Sequence, residues 1–464
     1  LAERTQGPVL AELERRGVPH RSYWIANMIW VRGDQGVVEA MARRSDVARV
    51  EANPEVRMAR PMSESSGLAP TAGIEPGILT TGAPQVFWNN GIFGQGAVIG
   101  GQDTGYDWDH PALIGSYRGW DGATADHNYN WHDAIHSGGG VCGPDSPEPC
   151  DDSQHGTHTM GTMSGFDGSD NWIGMAPAAK WIGCRNMNLG NGTPTTYSEC
   201  FQWFVAPTDL DDLNPDPSRA PHVINNSWSC PPSEGCTDVD VLKTVVENVR
   251  AAGILVVVSA GNSGSGCGSV SSPAAIYDAS FTVGATDSSD NIAGFSSRGP
   301  VTVDGSQRLK PDISAPGVSV RSSIPGGNYA SFNGTSMAGP HVAGMAALLT
   351  SAAPCWAGDP DQLEQHMTGS ALGRTTTQTC GGIPGSQVPN NTYGYGAMRS
   401  ALPAEICAGL LELTTGPMVA GQTAELAAAG AQVGEQVLFF ASTVGPGLGP
   451  CSQSLGACLD IRAP

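Results

Sequence analysis

The sequence predicts an α/β protein: a mostly parallel central sheet flanked by helices, with a small α+β module before it and a small β-type segment after it. Three observations carry this. A helical pattern over 239–252 is stopped by Gly253 and followed at once by the solid apolar run 254–258, the mark of a strand buried on both faces. Further apolar runs at 96–102, 179–185 and 222–226 alternate with helical stretches, as in βαβ units. The composition then changes at both ends of the chain, and there is no internal repeat.

Taken in order, residues 1–60 form the first module. An amphipathic helix is expected over 9–16, a strand over the aromatic and β-branched run 22–31, a helix over 36–44 and a strand over 47–51. Residues 61–80 are rich in Pro, Ser, Gly and Thr without periodicity and read as a linker. Residues 81–405 make the main domain. Residues 406–464 are Ala-, Gly- and Thr-rich with short apolar runs such as 436–441, and read as a small β-type segment, expected to be part of a larger unit.

Length and composition set outer limits. A chain of 464 residues accommodates two to four domains. No window approaches the ~20 apolar residues of a membrane helix. The formal net charge of -21 repels nucleic acid and anionic membranes, so neither is an expected partner. Twelve cysteines show neither a CxxC nor zinc-finger spacing, and Cys142/Cys150, Cys230/Cys236 and Cys451/Cys458 fall in close, loop-like pairs. An even count among Gly and Pro points to disulfides and an oxidising compartment, with the connectivity open. The chain starts at Leu1 with neither Met nor an apolar signal core, so any export signal is expected to have been removed or to lie outside it.

Four short segments carry chemistry. Ser336 lies in Asn333-Gly334-Thr335-Ser336-Met337-Ala338-Gly339-Pro340-His341, where Pro340 suits only the start of a helix. That places the Ser at a helix N-terminus, which favours negative charge. A hydroxyl needs a base to become nucleophilic. His155, in His155-Gly156-Thr157-His158, is the candidate; His158 is expected to face the packed side. Asp103 ends the apolar run 96–102, and carboxyl ends of parallel strands collect functional groups. It would orient the base and stabilise its cation. Asn262, in Ser259-Ala260-Gly261-Asn262, follows the buried run 254–258 and could donate to an oxyanion. Singly, each segment is also compatible with an ordinary structural role. In the order Asp, His, Asn, Ser they are specific, unlike the orders of chymotrypsin-like and α/β-hydrolase sites.

With these segments, and with Asn225-Asn226-Ser227-Trp228-Ser229, Phe295-Ser296-Ser297-Arg298-Gly299-Pro300, Lys310-Pro311-Asp312 and Ala315-Pro316-Gly317, residues 81–405 resemble the subtilisin-like serine peptidases over the whole main domain. The resemblance implies a subtilisin-like fold and an endopeptidase acting through Asp103, His155 and Ser336, with Asn262 in the oxyanion hole. It also implies that Ser227, Trp228 and Ser229 pair with substrate and wall the first specificity pocket opposite Ser259, Ala260 and Gly261. The family carries Gly where Ser229 stands and a smaller apolar residue at Trp228, which leaves substrate preference open. Residues 1–60 resemble the family's inhibitory propeptide, most clearly at Asp46-Val47-Ala48-Arg49-Val50-Glu51. That implies an intramolecular inhibitor that threads its end through the active site, a cleavage within 57–80, and either a zymogen or a form that does not process itself.

The expected partners are therefore protein or peptide substrates and the chain's own N-terminal module, and the expected location is extracellular, with a cell-surface role open for 406–464. Two other readings stand beside this one: a catalytically silent, subtilisin-shaped binding protein, and an esterase using the same triad. No cofactor is expected for the chemistry. Structural calcium is an expectation without assigned ligands; the acidic stretches 145–152 and 209–216 could supply carboxylates but lack an EF-hand pattern. Asp126, His127, His132, Asp133 and His136 read as a polar surface loop, although His132 and His136 have the spacing of a helical metal pair.

Overall fold

The computed structural model describes residues 1–58 and 62–403, and beyond them the short strands Glu412–Thr415, Leu426–Ala429, Gly447–Ser452 and Ala457–Ile461. Seven strands build the central sheet: β1 (Val98–Asp103), β2 (Trp131–Asp133), β3 (Lys180–Arg185), β4 (Val223–Asn226), β5 (Leu255–Ser259), β6 (Phe281–Thr286) and β7 (Ile313–Pro316). Their order is β7-β6-β5-β4-β1-β3-β2, and every neighbouring pair is parallel.

Parallel strands need crossovers; α-helices lie in those from β2 to β3, β3 to β4 and β4 to β5, and helices cover both faces. Alternate residues face opposite layers. Ile99, Val223, Leu255 and Val257 pack with Met160 of helix α1 (His155–Ser164) and with Ala338, Val342 and Leu349 of helix α4 (Thr335–Ala352). Ile224, Val256 and Val258 face the other way, onto Phe201 of helix α2 (Pro194–Val205) and Val246 of helix α3 (Lys243–Ala251). This explains why the 254–258 run is apolar throughout.

The N-terminal module departs from the expectation in two places. The run 22–31 is a hairpin, His20–Tyr23 paired with Met28–Val31, because the chain turns at Asn27 in the left-handed region (φ 50°). No strand forms over 47–51; the extended pair Val56–Arg57 finds a partner strand instead, and a strand exists only where a ladder partner stands beside it. The helices are Ala2–Arg15 and Gln35–Ala42. The expected linker is also more ordered than its composition suggests. It holds the strand Met62–Leu68 and the helix Pro76–Thr81, which has Pro at its first position.

The disulfides between described residues include Cys142–Cys150, Cys184–Cys200, Cys230–Cys236 and Cys267–Cys380, and Cys355 is disulfide-bonded as well. Cys451 stands opposite Cys458 in an antiparallel register. The expected strand at 436–441 lies outside the described residues. Among the described residues no helix is long and apolar enough to cross a membrane.

Candidate active site

The strand order reverses around β1, which has β4 on one side and β3 on the other, so the carboxyl end of β1 opens into a crevice. Asp103 is the last residue of β1 and is 1% exposed. Its Oδ1 accepts from the Thr104 backbone N–H (2.8 Å) and lies 2.7 Å from His155 Nδ1. Its Oδ2 accepts weakly from Thr159 Oγ1 (3.4 Å). His155 opens α1, and Gly156 lets that helix start close: a Cβ there would sit 2.0 Å from the Gly105 carbonyl oxygen. His155 Nε2 is buried without a hydrogen-bond partner. His158 turns into the packed side, with Nε2 3.0 and 3.1 Å from the carbonyl oxygens of Val320 and Ala330. Burial, with the charge of His155 adding to it, pushes His158 down to about 3.

Ser336 is the second residue of α4 and is 4% exposed, its Oγ 3.4 Å from the Ser227 carbonyl oxygen. Pro340 sits further into the helix than its first turn. Proline has no N–H to give the carbonyl four residues back, which is that of Ser336. The Ser227 hydroxyl donates to that oxygen instead (3.2 Å). Asn262 is held by its carbonyl end: Oδ1 accepts from the Thr335 N–H (2.9 Å) and hydroxyl (3.0 Å). Its amide end is thereby turned toward Gly334. A methyl group built on Gly334 would stand 3.6 Å from both Asn262 Nδ2 and the Ser336 backbone nitrogen, so two N–H groups flank one point beside the Ser336 segment.

The expected specificity segments come to the same place. The Ser259 hydroxyl donates to the Thr335 carbonyl (2.9 Å) and lies 3.4 Å from Ser227 Oγ, and the Gly261 N–H donates to Thr335 Oγ1 (3.2 Å). Ala260 is tied by its N–H to the Val283 carbonyl on β6. Ser229 is half-buried, between Trp228 and the disulfide-bonded Cys230. Trp228 is buried and stacks on Tyr197 of α2 with ring centres 3.9 Å apart.

Two stretches of the N-terminal part pair with strands of the main domain. Val56 and Arg57 pair antiparallel with Gly192 and Asn191, and the Met58 N–H donates to the Gly190 carbonyl (2.8 Å). Val56 and Met58 are buried. Met62–Leu68 pairs antiparallel with Asn328–Asn333, Met62 standing opposite Asn333. Asn333 is three positions before Ser336 in the chain.

The remaining polar candidates have structural partners. Asp133 forms a buried ion pair with Arg185 (2.7 Å). His127 Nδ1 meets the Tyr117 hydroxyl (2.9 Å), and Asp126 caps the Asn128 N–H. His132 stands on β2 and His136 in the loop after it, not on a helix; each has Nε2 on the same Glu199 oxygen (3.0 and 2.7 Å). Burial pushes His132 down, but Asp212 and Glu199 outweigh it and hold it up at about 9. Asp145 pairs with His136, and Asp209 accepts from N–H groups of its own loop. Among the described residues no group of three or more His, Cys, Asp or Glu is arranged to hold a metal ion.

Sequence reasoning missed Thr335, which aims the Asn262 amide, and the ladder partners at 190–192 and 328–333. Thr335 carried a signal, as a hydroxyl immediately before the Ser. The ladders carried none, since pairing joins segments far apart in the chain.

Residues 94–396 match the model of the subtilase family, Peptidase S8. The chain is 37% identical over 396 residues to Bacillopeptidase F of Bacillus subtilis (strain 168), covering 82% of this chain and 26% of that protein, so it spans about a quarter of that relative's length. It is 34% identical over 290 residues to Subtilisin Savinase of Lederbergia lenta (62% of this chain, 88% of that one). It is 31% identical over 360 residues to Subtilisin E of Bacillus subtilis (strain 168), 76% and 79% of the two chains.

Proposed function

This chain belongs to the subtilase family, and on that premise we propose that it is a secreted serine endopeptidase made with its own inhibitory N-terminal module. The observation that carries the reading is the His155–Asp103 contact of 2.7 Å, with a free Nε2 on the far side of the ring.

The chemistry is acyl transfer. The Asp103 carboxylate accepts from Nδ1–H, which leaves Nε2 as the basic nitrogen. The reading requires Ser336 Oγ to leave the Ser227 carbonyl for Nε2; such contacts are often long until substrate is bound. Nε2 takes the hydroxyl proton as Oγ bonds to the substrate carbonyl carbon. Asn262 Nδ2–H and the Ser336 N–H donate to the oxyanion, helped by the α4 dipole. The C–N bond then breaks, Nε2–H protonates the leaving amine, and water repeats the sequence on the acyl-enzyme. No cofactor enters these steps; calcium, where bound, is structural.

In this reading residues 1–60 act as the propeptide, the processing site falls within 57–80 where the propeptide meets the linker 61–80, and 81–405 is the peptidase. Support comes from the extended pairing of Val56–Met58 with 190–192 and of 62–68 with 328–333, the strand that leads to Ser336. Cleavage then falls between Met58 and Met62. Residues 406–464 are assigned to a separate β-type segment, a candidate for surface attachment.

The test is Ser336→Ala in the full chain. Intact mass and N-terminal sequencing should show an uncleaved protein without peptidase activity, beside a wild-type chain cut between residues 58 and 62. A Ser336→Ala protein that still hydrolyses peptides overturns the assignment.

A further inference from the structure

We propose that Asp151 is a positioning residue that ties the Asp103 loop to the N-terminus of α1 and so sets the Asp103–His155 geometry; this rests on the peptidase reading above. Asp151 does not touch either side chain. Its carboxylate collects five donors from three places. Oδ1 accepts from the Thr104 hydroxyl (2.8 Å) and from the N–H groups of Ser153 and Gln154 (2.9 Å each). Oδ2 accepts from the Thr157 N–H (2.9 Å) and hydroxyl (2.6 Å).

These donors bracket the pair on both sides. Thr104 follows Asp103, donates its N–H to Asp103 Oδ1, and accepts the Gly156 N–H on its own hydroxyl (2.9 Å). Ser153, Gln154 and Thr157 surround His155 in the chain, and Gln154 holds a left-handed backbone (φ 74°) at the point where the helix begins. The Thr157 hydroxyl is used twice, donating to Asp151 and accepting from the Asp107 N–H (3.0 Å). Asp151 is itself anchored, since it follows Cys150 of the Cys142–Cys150 disulfide. The Gly105 backbone (φ 103°) lies against Cys150 so closely that a Cβ on Gly105 would meet the Cys150 carbonyl oxygen at 1.7 Å.

A carboxylate is the one side chain that only accepts and offers about four lone-pair sites, which matches an all-donor surround. An amide in its place would set its own N–H groups against backbone N–H groups that have no other partner there. The loop and the helix start would then move apart, and a displacement near 1 Å at catalytic groups can cost about 10²-fold in rate.

The experiment compares wild type, Asp151→Asn, Thr104→Val and Thr104→Ser as full chains. It measures kcat and KM on a peptide ester, labelling by a fluorophosphonate, thermal midpoint, and the low-field proton resonance of His155 Nδ1–H in a Ser336→Ala background. Asp151→Asn should lower kcat about 10- to 100-fold with KM within about threefold, and should shift or broaden the resonance. Thr104→Val, which spares the carboxylate and its other four donors, should do the same at a near wild-type midpoint, and Thr104→Ser should restore both. If Asp151→Asn does not fold, the Thr104 pair decides. Unchanged kcat and resonance in the folded variants overturns the proposal, as does a loss that tracks only the folded fraction. A wild type that takes no label once its N-terminal module has been cut and removed fails the peptidase reading instead, and the resonance still reports on the positioning.

Discussion

His155 Nδ1 lies 2.7 Å from Asp103 Oδ1, and both side chains are 1% exposed, so the pair is held out of bulk water. Asp103→Asn keeps the shape of the pair, but its amide N–H faces the ring nitrogen and favours the wrong tautomer. We expect kcat to fall on the order of 10⁴-fold with little change in thermal midpoint. Steady-state kinetics on a peptide substrate checks this; a loss below about tenfold removes Asp103 from the site.

Asn262 is aimed by its Oδ1 contacts to Thr335, which leaves the amide N–H free. Asn262→Ala should therefore cost about 10²–10³-fold in kcat with KM nearly unchanged, the effect of removing one oxyanion donor. Thr335→Val, which leaves the amide in place but deletes one of the contacts aiming it, should cost less. An equal rise in KM for both would show that Asn262 binds substrate and does not stabilise the transition state.

Burial holds His158 down at about 3 and His341 down at about 4, so both stay neutral in the folded protein. The unfolded chain takes up these protons near the ordinary imidazole value of about 6.5. Their contribution to stability is complete above that value and is lost as pH falls from about 6.5 toward 3–4. The slope should reach at most about 1.4 kcal/mol per pH unit for each histidine. Urea midpoints between pH 8 and 4 test it, and His158→Gln should flatten the fall. Stability that is level from pH 7 to 5 contradicts it.

Cys267–Cys380 spans 113 residues and holds the loop that follows Asn262, where Gln378 Nε2 also donates to the Ser265 carbonyl (2.7 Å). Loop-closure entropy assigns it about 4–5 kcal/mol, against about 2 kcal/mol for Cys230–Cys236 with a separation of 6. Replacing Cys267 and Cys380 by Ser should thus lower the unfolding free energy more than replacing Cys230 and Cys236. The reverse order in denaturant titrations would place the stabilisation in local packing.

The strands of the central sheet were legible because each announces itself locally: an apolar run, a Gly stop, a preceding helical period. The residues at their ends were legible for the same reason, since Asp103 closes a strand, His155 opens a helix, and the order Asp, His, Asn, Ser needs no distances. The run 22–31 misled because its composition is that of one strand, and only the left-handed turn at Asn27 divides it. The run 47–51 misled because β-propensity without a partner makes no ladder. The sequence by itself determined the family, the parallel sheet and the places of Asp103, His155 and Ser336 at a strand end and two helix starts, all of which are written in short stretches of chain. Tertiary structure alone decided that Thr335 turns Asn262, that residues 56–58 pair with 190–192, and that 62–68 pairs with the strand that leads to Ser336. Those are convergences of segments tens to hundreds of residues apart, and no local pattern encodes where such segments meet.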